Sequence, residues 1–249
     1  MAGGVARAVA ESACNNRFVH PAAVVHIPVP AKKGPENVHS HDRTEQRLAI
    51  GLSMLAGFVD ALGFLSLGGL FVSFMSGNST RFAVGVTQSV SVQVALLPLA
   101  IIALFVFGVM IGKGIRHYAR RRASSSVLTF MALLLGMAAL CHAFRIDALA
   151  IPLMAVAMGA ANNVFVREGE VAIGVTYMTG TLVKFAQRLA GRLLGEPGGG
   201  WLPYFLLWLG LVGGAVTGAI AFAHIGLASL WIAAAWAACL MATGRRSGL

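Results

Sequence analysis

The chain has 249 residues, 57% of them hydrophobic and 11% charged, with a mean hydropathy of +0.78. An ordinary soluble domain carries about 25% charged residues, so this composition excludes a water-soluble globular protein and describes an integral membrane one. The net charge of +10 does not point to nucleic acid, because Lys and Arg gather in the tails and in "KGIRHYARRR" (Lys113 to Arg122), beside apolar runs, where they set orientation and meet anionic headgroups.

Residues 1–44 mix Pro, Gly, His and charge without helical period and lack the parts of a signal peptide, which predicts a disordered basic tail. His20, His26, His39 and His41 are irregularly spaced within it and read as solvated side chains. Cys14, Cys141 and Cys239 have neither CxxC nor metal-ligand spacing, so no metal or cofactor is expected.

After the tail, continuous apolar segments run over about 48–67, 92–112, 127–144, 148–166, 203–223 and 226–242. Each approaches the roughly 20 residues that a helix needs to cross a bilayer, and no period-2 alternation competes with them. These predict an all-α, polytopic membrane helix bundle of six full spans. His142 and His224 close spans, and Pro98, Pro152 and Pro203 kink or begin them.

Two weaker segments, about 70–90 and 171–193, are apolar enough to enter a membrane but carry polar motifs. The first holds "FMSGNSTRFA" (Phe74 to Ala83) and the second holds "YMTGTLVKFA" (Tyr177 to Ala186), 103 positions later. Met75, Gly77, Phe82 and Ala83 recur as Met178, Gly180, Phe185 and Ala186, while Phe74, Ser76 and Arg81 recur in kind as Tyr177, Thr179 and Lys184. The same offset lays Asp60 on Asn163, and an offset of 106 lays Gly108 and Gly112 on Gly214 and Gly218.

Charge decides how the weak segments run. If both crossed, the basic tail and the "RHYARRR" loop would lie on opposite sides; if neither crosses, those two, the stretch around Arg188 and Arg192 and the terminal "GRRSGL" share the cytoplasmic side. Six full spans plus two re-entrant or broken segments follow, with both termini cytoplasmic. Three crossings per half invert the second half relative to the first. The expected organisation is a transmembrane domain over 45–244, with repeat one at about 48–144 and repeat two at about 148–242, and a C-terminal tail over 245–249.

Inside a bilayer a broken helix survives only when it is buried in protein or lines a wet cavity. Gly77 and Gly180 tolerate unusual dihedrals, and Asn78, Ser79, Thr179 or Thr181 can cap a helix that begins there. Each motif therefore predicts a helix start within the membrane, whose amide end suits an anionic or carbonyl-bearing group. Arg81 and Lys184 reinforce the positive field. The competing reading is that these hydroxyls glue helices and that the two cations snorkel to the interface.

Asp60, within "LAIGLSMLAGFVDALGFLSL", costs about 2.5–3.5 kcal/mol at membrane depth on insertion scales. Pairing with Arg81 or a proton-carrying role would repay it. The second half offers Asn162 and Asn163, and Glu168 and Glu170 read as loop charges.

"AGFVDALGFLSLGGLFVSFMSGNSTRFAVG" resembles the signature of the YoaK-type family of bacterial transmembrane proteins, a domain of unknown function. The resemblance runs over about 48–242 and rests on Gly57, Asp60, Ala61, Gly63, Phe64, Met75, Gly77 and Asn78, with Ser76 where the family usually has Thr. It implies a multi-pass protein of the bacterial cytoplasmic membrane and supplies no substrate.

The function these features suggest is a secondary transporter or channel for a small polar solute, anions included, bound by Asp60, Ser76, Gly77, Asn78, Ser79, Arg81, Asn163, Thr179, Gly180, Thr181 and Lys184. A membrane scaffold or sensor is the alternative. An enzyme is not expected, since no HExxH, GxSxG or histidine cluster occurs. The partners expected are the lipid bilayer and the solute, and the glycine pairs permit a homo-oligomer as readily as contacts within one bundle.

Overall fold

A computed structural model describes residues 39–88, 91–167, 170–171, 174–196 and 200–246. The tail expected over 1–44 thus lies mostly outside the described residues, together with Cys14, His20, His26, Glu168 and residues 247–249.

The described chain is helical throughout, apart from one antiparallel pairing of two residues with two, β1 (Val166–Arg167) with β2 (Glu170–Val171). In chain order the helices are α1 (His39–Ser66), α2 (Met75–Thr87), α3 (Val92–Ala119), α4 (Ala123–Ala143), α5 (Asp147–Ala161), α6 (Met178–Leu193), α7 (Leu202–Ile225) and α8 (Leu230–Arg246). Short 3-10 turns at Arg120–Arg122 and Gly226–Ser229 join α3 to α4 and α7 to α8. Among the described residues four stretches are long and apolar enough to cross a membrane: Thr44–Ser66, Val92–Ala119, Ala123–Ala143 and Leu202–Arg246, the last combining α7 and α8. α5 is apolar but shorter, at 15 residues.

The core sits around α1 and α5. On α1, Leu48, Leu52, Leu55, Val59 and Leu62 recur at alternating steps of four and three and are all buried, the spacing that keeps one helical stripe against its neighbours. On α5 the buried positions are mostly small, Ala150, Ala155, Ala157, Gly159, Ala160 and Ala161, with Met154 and Met158 filling the remaining space. In a lipid-embedded bundle, where acyl chains are as apolar as leucine, close approach and van der Waals contact hold helices together.

That approach is made by glycines placed in matching pairs. α1 packs on α7, the most extensive helix contact, and α5 packs on α3. A Cβ at Gly57 would collide with the Leu211 carbonyl, and one at Gly159 would collide with the Phe105 carbonyl. Likewise Gly214 faces the Met54 carbonyl as Gly108 faces that of Val156, and Gly218 lies on Phe58 as Gly112 lies on Ala160. α1 therefore meets α7, and α5 meets α3, through the same glycine register. The glycines spaced four apart, read in the sequence as packing positions, serve contacts inside one bundle. Ser53 adds a polar tie, its hydroxyl donating to the Leu207 carbonyl at 2.9 Å.

Gly214→Ala should therefore destabilise the bundle by about 1–3 kcal/mol, because backbone, not a pliable side chain, occupies the space. Gly213→Ala, one residue away with open space around its Cβ position, should stay within about 0.5 kcal/mol of the parent. Thermal unfolding in detergent, followed by size-exclusion chromatography, separates the two; equal losses would refute the packing account.

Candidate functional site

Each motif opens a helix, α2 at Met75 and α6 at Met178, but the starts precede Asn78, Ser79, Thr179 and Thr181, so none of these caps its helix as expected. What precedes each start is a break in the helical backbone, and each break is tied down by the helix before it.

The first break follows α1. Gly68 and Gly69 have φ of 63° and 104°, values that favour glycine, and the Gly69 amide donates back to the Phe64 carbonyl at 2.7 Å in a Schellman-type ending. The chain then runs past Asp60. One carboxylate oxygen accepts from the amides of Val72 and Ser73 at 2.8 and 2.7 Å, and the other accepts from the Ser73 hydroxyl at 2.6 Å. Asn78 reaches back from α2, its amide nitrogen donating to the Phe71 carbonyl at 2.6 Å and its oxygen accepting from the Phe71 amide at 3.0 Å. Phe71 packs tilted against Phe64 and edge-on against Phe74, with centroids at 5.0 and 5.2 Å, and a Cβ at Gly77 would intrude on Phe74.

The second break follows α5. The Thr176 hydroxyl donates to the side-chain oxygen of Asn162 at 3.0 Å, as Ser73, 103 positions earlier, donates to Asp60. Asn163 turns the other way, its amide donating to the Val109 carbonyl on α3 at 3.0 Å. Arg116 closes the end of α5, donating to the carbonyls of Asn163, Val164 and Val166 and to the Ser124 hydroxyl at 3.0–3.2 Å. The three carbonyls belong to the chain just past α5, while the last carbonyls of the helix itself accept from Asn162, Asn163 and Val164.

The two breaks meet. Ser73, Phe74, Met75 and Ser76 from one motif and Thr176, Tyr177, Met178, Thr179 and Gly180 from the other, with Phe105 of α3, line one cavity of about 340 Å³. Neither helix start is capped by a side chain. The first-turn amides of a helix have no acceptor within it, so two sets of donors border the same space. Gly180 leaves open space where a Cβ would stand.

Of the site residues read from the sequence, Ser76, Thr179 and Gly180 belong to this lining. Asp60, Gly77 and Asn78 stand behind it and shape the first break, and Asn163 binds α3. Ser79 and Thr181 donate to carbonyls four residues back in their own helices, Met75 at 2.9 Å and Tyr177 at 3.1 Å. The expected Asp60–Arg81 pair does not form: backbone amides already occupy the carboxylate, and Arg81 lies 5.8 Å over the Phe64 ring with its guanidinium 3.5 Å from the Gly68 carbonyl. Lys184 is exposed on α6 outside the lining. Sequence reading missed Ser73 and Thr176; their positions at the same 103-residue offset were the available signal.

The chain belongs to the family described as "Protein of unknown function (DUF1275)", whose model matches residues 48–243. It is similar to UPF0700 transmembrane protein RA0705 of Rhizobium meliloti (strain 1021), at 35% identity over 74% of this chain and 79% of that one. A second relative is UPF0700 transmembrane protein YoaK of Bacillus subtilis (strain 168), at 30% identity over 57% of this chain and 66% of that one. No solved structure matches. With the apolar helices, this family assignment makes the chain an integral membrane protein, and it agrees with the resemblance seen in the signature around Asp60.

Unequal donors predict unequal latches. Asp60→Ala, which leaves two amides and a hydroxyl without their acceptor, should cost about 3 kcal/mol or more, whereas Thr176→Val, which removes one neutral bond, should cost about 1 kcal/mol. Unfolding titrations in mixed micelles measure both; a Thr176→Val loss matching that of Asp60→Ala would contradict the assignment of partners.

Proposed function

We propose that the protein is a secondary transporter or channel for a small polar, anion-tolerant solute, built from two inverted repeats whose broken helices share one binding cavity. The observation that carries this reading is the cavity itself, lined from both halves by residues 73–76 and 176–180. In transporters of inverted-repeat design the substrate lies between discontinuous helices at the repeat interface.

The paired contacts favour the repeats. α1–α2–α3–α4 corresponds in order to α5–α6–α7–α8, and the glycine register of α1 on α7 recurs in α5 on α3. In this reading α1, α3, α4, α5, α7 and α8 cross the bilayer, α2 and α6 are re-entrant, and both termini are cytoplasmic. The solute's acceptor groups take bonds from first-turn amides of α2 and α6 and from the hydroxyls of Ser76 and Thr179, while Phe74 and Tyr177 cover its apolar parts. Among the described lining residues there is no acidic side chain, which favours anions and neutral solutes over cations. The positive field comes from the helix ends rather than from Arg81 or Lys184. Asp60 acts as an anchor of the first break, not as a proton carrier, because all three of its bonds hold that break in place. The described lining residues offer no acid–base pair for chemistry, which favours passage over catalysis.

Proteoliposomes should take up members of a panel of small carboxylates and inorganic anions. Gly180→Leu, which fills open space without touching the fold, should reduce that flux at least about tenfold, an effect of about 1.4 kcal/mol or more on the rate-limiting barrier. If the folded parent moves no member of the panel, the transport reading fails and the scaffold or sensor reading replaces it.

Topology gives a second check. Ser89 and Gly198, natural label sites just past α2 and α6, lie outside the described residues, so single cysteines go at Gln88 and Glu196. An impermeant maleimide should reach them from opposite sides of the membrane. Labelling of both from one side excludes the inverted arrangement.

A further inference from the structure

α6 breaks the correspondence between the halves in one respect that the cavity does not use. Lys184, Arg188 and Arg192 fall at steps of four along it, so about 6 Å of rise separates each from the next and all three lie on one side of the helix. Only the first has a counterpart on α2; the other two align with Gly85 and Ser89, 103 positions earlier.

The three cations are exposed, and none forms an ion pair with a described residue. α6 itself contains no acid; the nearest in sequence among the described residues, Glu196, folds back by its amide to the Gly191 carbonyl at 2.9 Å. The helix touches the rest of the bundle mainly through α7, where Phe185 meets Trp201 and Phe205 at 5.9 and 5.4 Å and Trp208 extends the cluster. On the side away from the cations, Leu182, Val183 and Leu193 are exposed by 38, 51 and 80%.

A helix with an unpaired cationic stripe, an open apolar side and a tryptophan cluster beside it fits a membrane interface: acyl chains meet the leucines and valine, and anionic headgroups meet the cations. We infer that the stripe Lys184–Arg188–Arg192 is a binding site for anionic phospholipid, with the phosphodiester held by the two arginines, whose planar forks suit phosphate oxygens, and the lysine as a point charge beside them. This inference rests on the chain being a membrane protein and not on the transport reading.

The test is lipid retention by the purified protein, read by native mass spectrometry after reconstitution in nanodiscs of equal parts phosphatidylglycerol and phosphatidylcholine. The parent should retain phosphatidylglycerol selectively. Each Gln substitution at Lys184, Arg188 or Arg192 should weaken retention about fivefold and the triple variant about a hundredfold. Lys113→Gln/Arg120→Gln/Arg122→Gln, which removes the same charge from a stretch whose cations meet headgroups without forming such a stripe, should weaken retention no more than about fivefold. Arg188→Lys/Arg192→Lys should keep most of the selectivity and shows that a loss reflects charge rather than misfolding. Retention unchanged in the triple Gln variant overturns the site, as does an equal loss in the control triple. A changed oligomeric mass at unchanged lipid content would assign the stripe to a second copy of the chain and likewise overturn it.

Discussion

A backbone that stops being helical inside an apolar bundle leaves amides and carbonyls that no surrounding solvent repays. The rest of this structure follows from how those groups are met. Asp60 takes two amides of the first break, Asn78 takes one amide and one carbonyl, and Arg116 takes three carbonyls past the end of α5. Each of these polar side chains would be costly alone in lipid. Each also satisfies a group that would otherwise be equally costly. The breaks and the buried polar residues are two sides of one account, and the cavity is the space that the breaks leave between them.

Packing supplies the frame that holds the breaks opposite one another. α1 and α5 are the helices that carry the latch residues, and each is clamped by backbone-to-glycine contact with a helix from the other half. Because those contacts involve main-chain carbonyls, they fix the axial register of α1 on α7 and of α5 on α3 far more tightly than side-chain packing would. A shift of either helix along its partner would move its latch away from Ser73 or Thr176. The geometry of the cavity is therefore set some distance from it, by Gly57, Gly108, Gly159 and Gly214.

Much of this was legible in the order of residues. Hydropathy located the apolar helices, and the duplicated motif marked two helix starts because Gly and hydroxyl residues in an apolar run have few other uses. The partners of charged groups were less legible. Asp60 and Arg81 are the opposite charges nearest each other between residues 48 and 144, yet the carboxylate is claimed by amides of a break whose path no periodicity reveals. Arg116 looked like one more basic residue of a loop flanking a span, and only the fold brings it to the end of α5, 47 residues ahead of its first carbonyl partner. Side chains that answer to backbone, rather than to other side chains, leave no pattern to read.

The correspondence between halves is one of geometry and not of strength. Ser73 and Thr176 stand at matching positions, but the first latch joins a carboxylate to three donors, while the second joins a neutral amide to one hydroxyl. Asn78 clasps the first break from within α2, whereas Thr181 at the matching place on α6 turns back onto its own helix. Hydrogen bonds to an ionised group are worth roughly twice neutral ones. Opening the Thr176 contact consequently costs less than opening the Ser73 contact, while Arg116 keeps the chain just past α5 in place through its three carbonyls. If one side of the cavity yields when a solute enters or leaves, the energetics select the side formed by Thr176 to Gly180, with the Asp60 side as the fixed wall against which it moves.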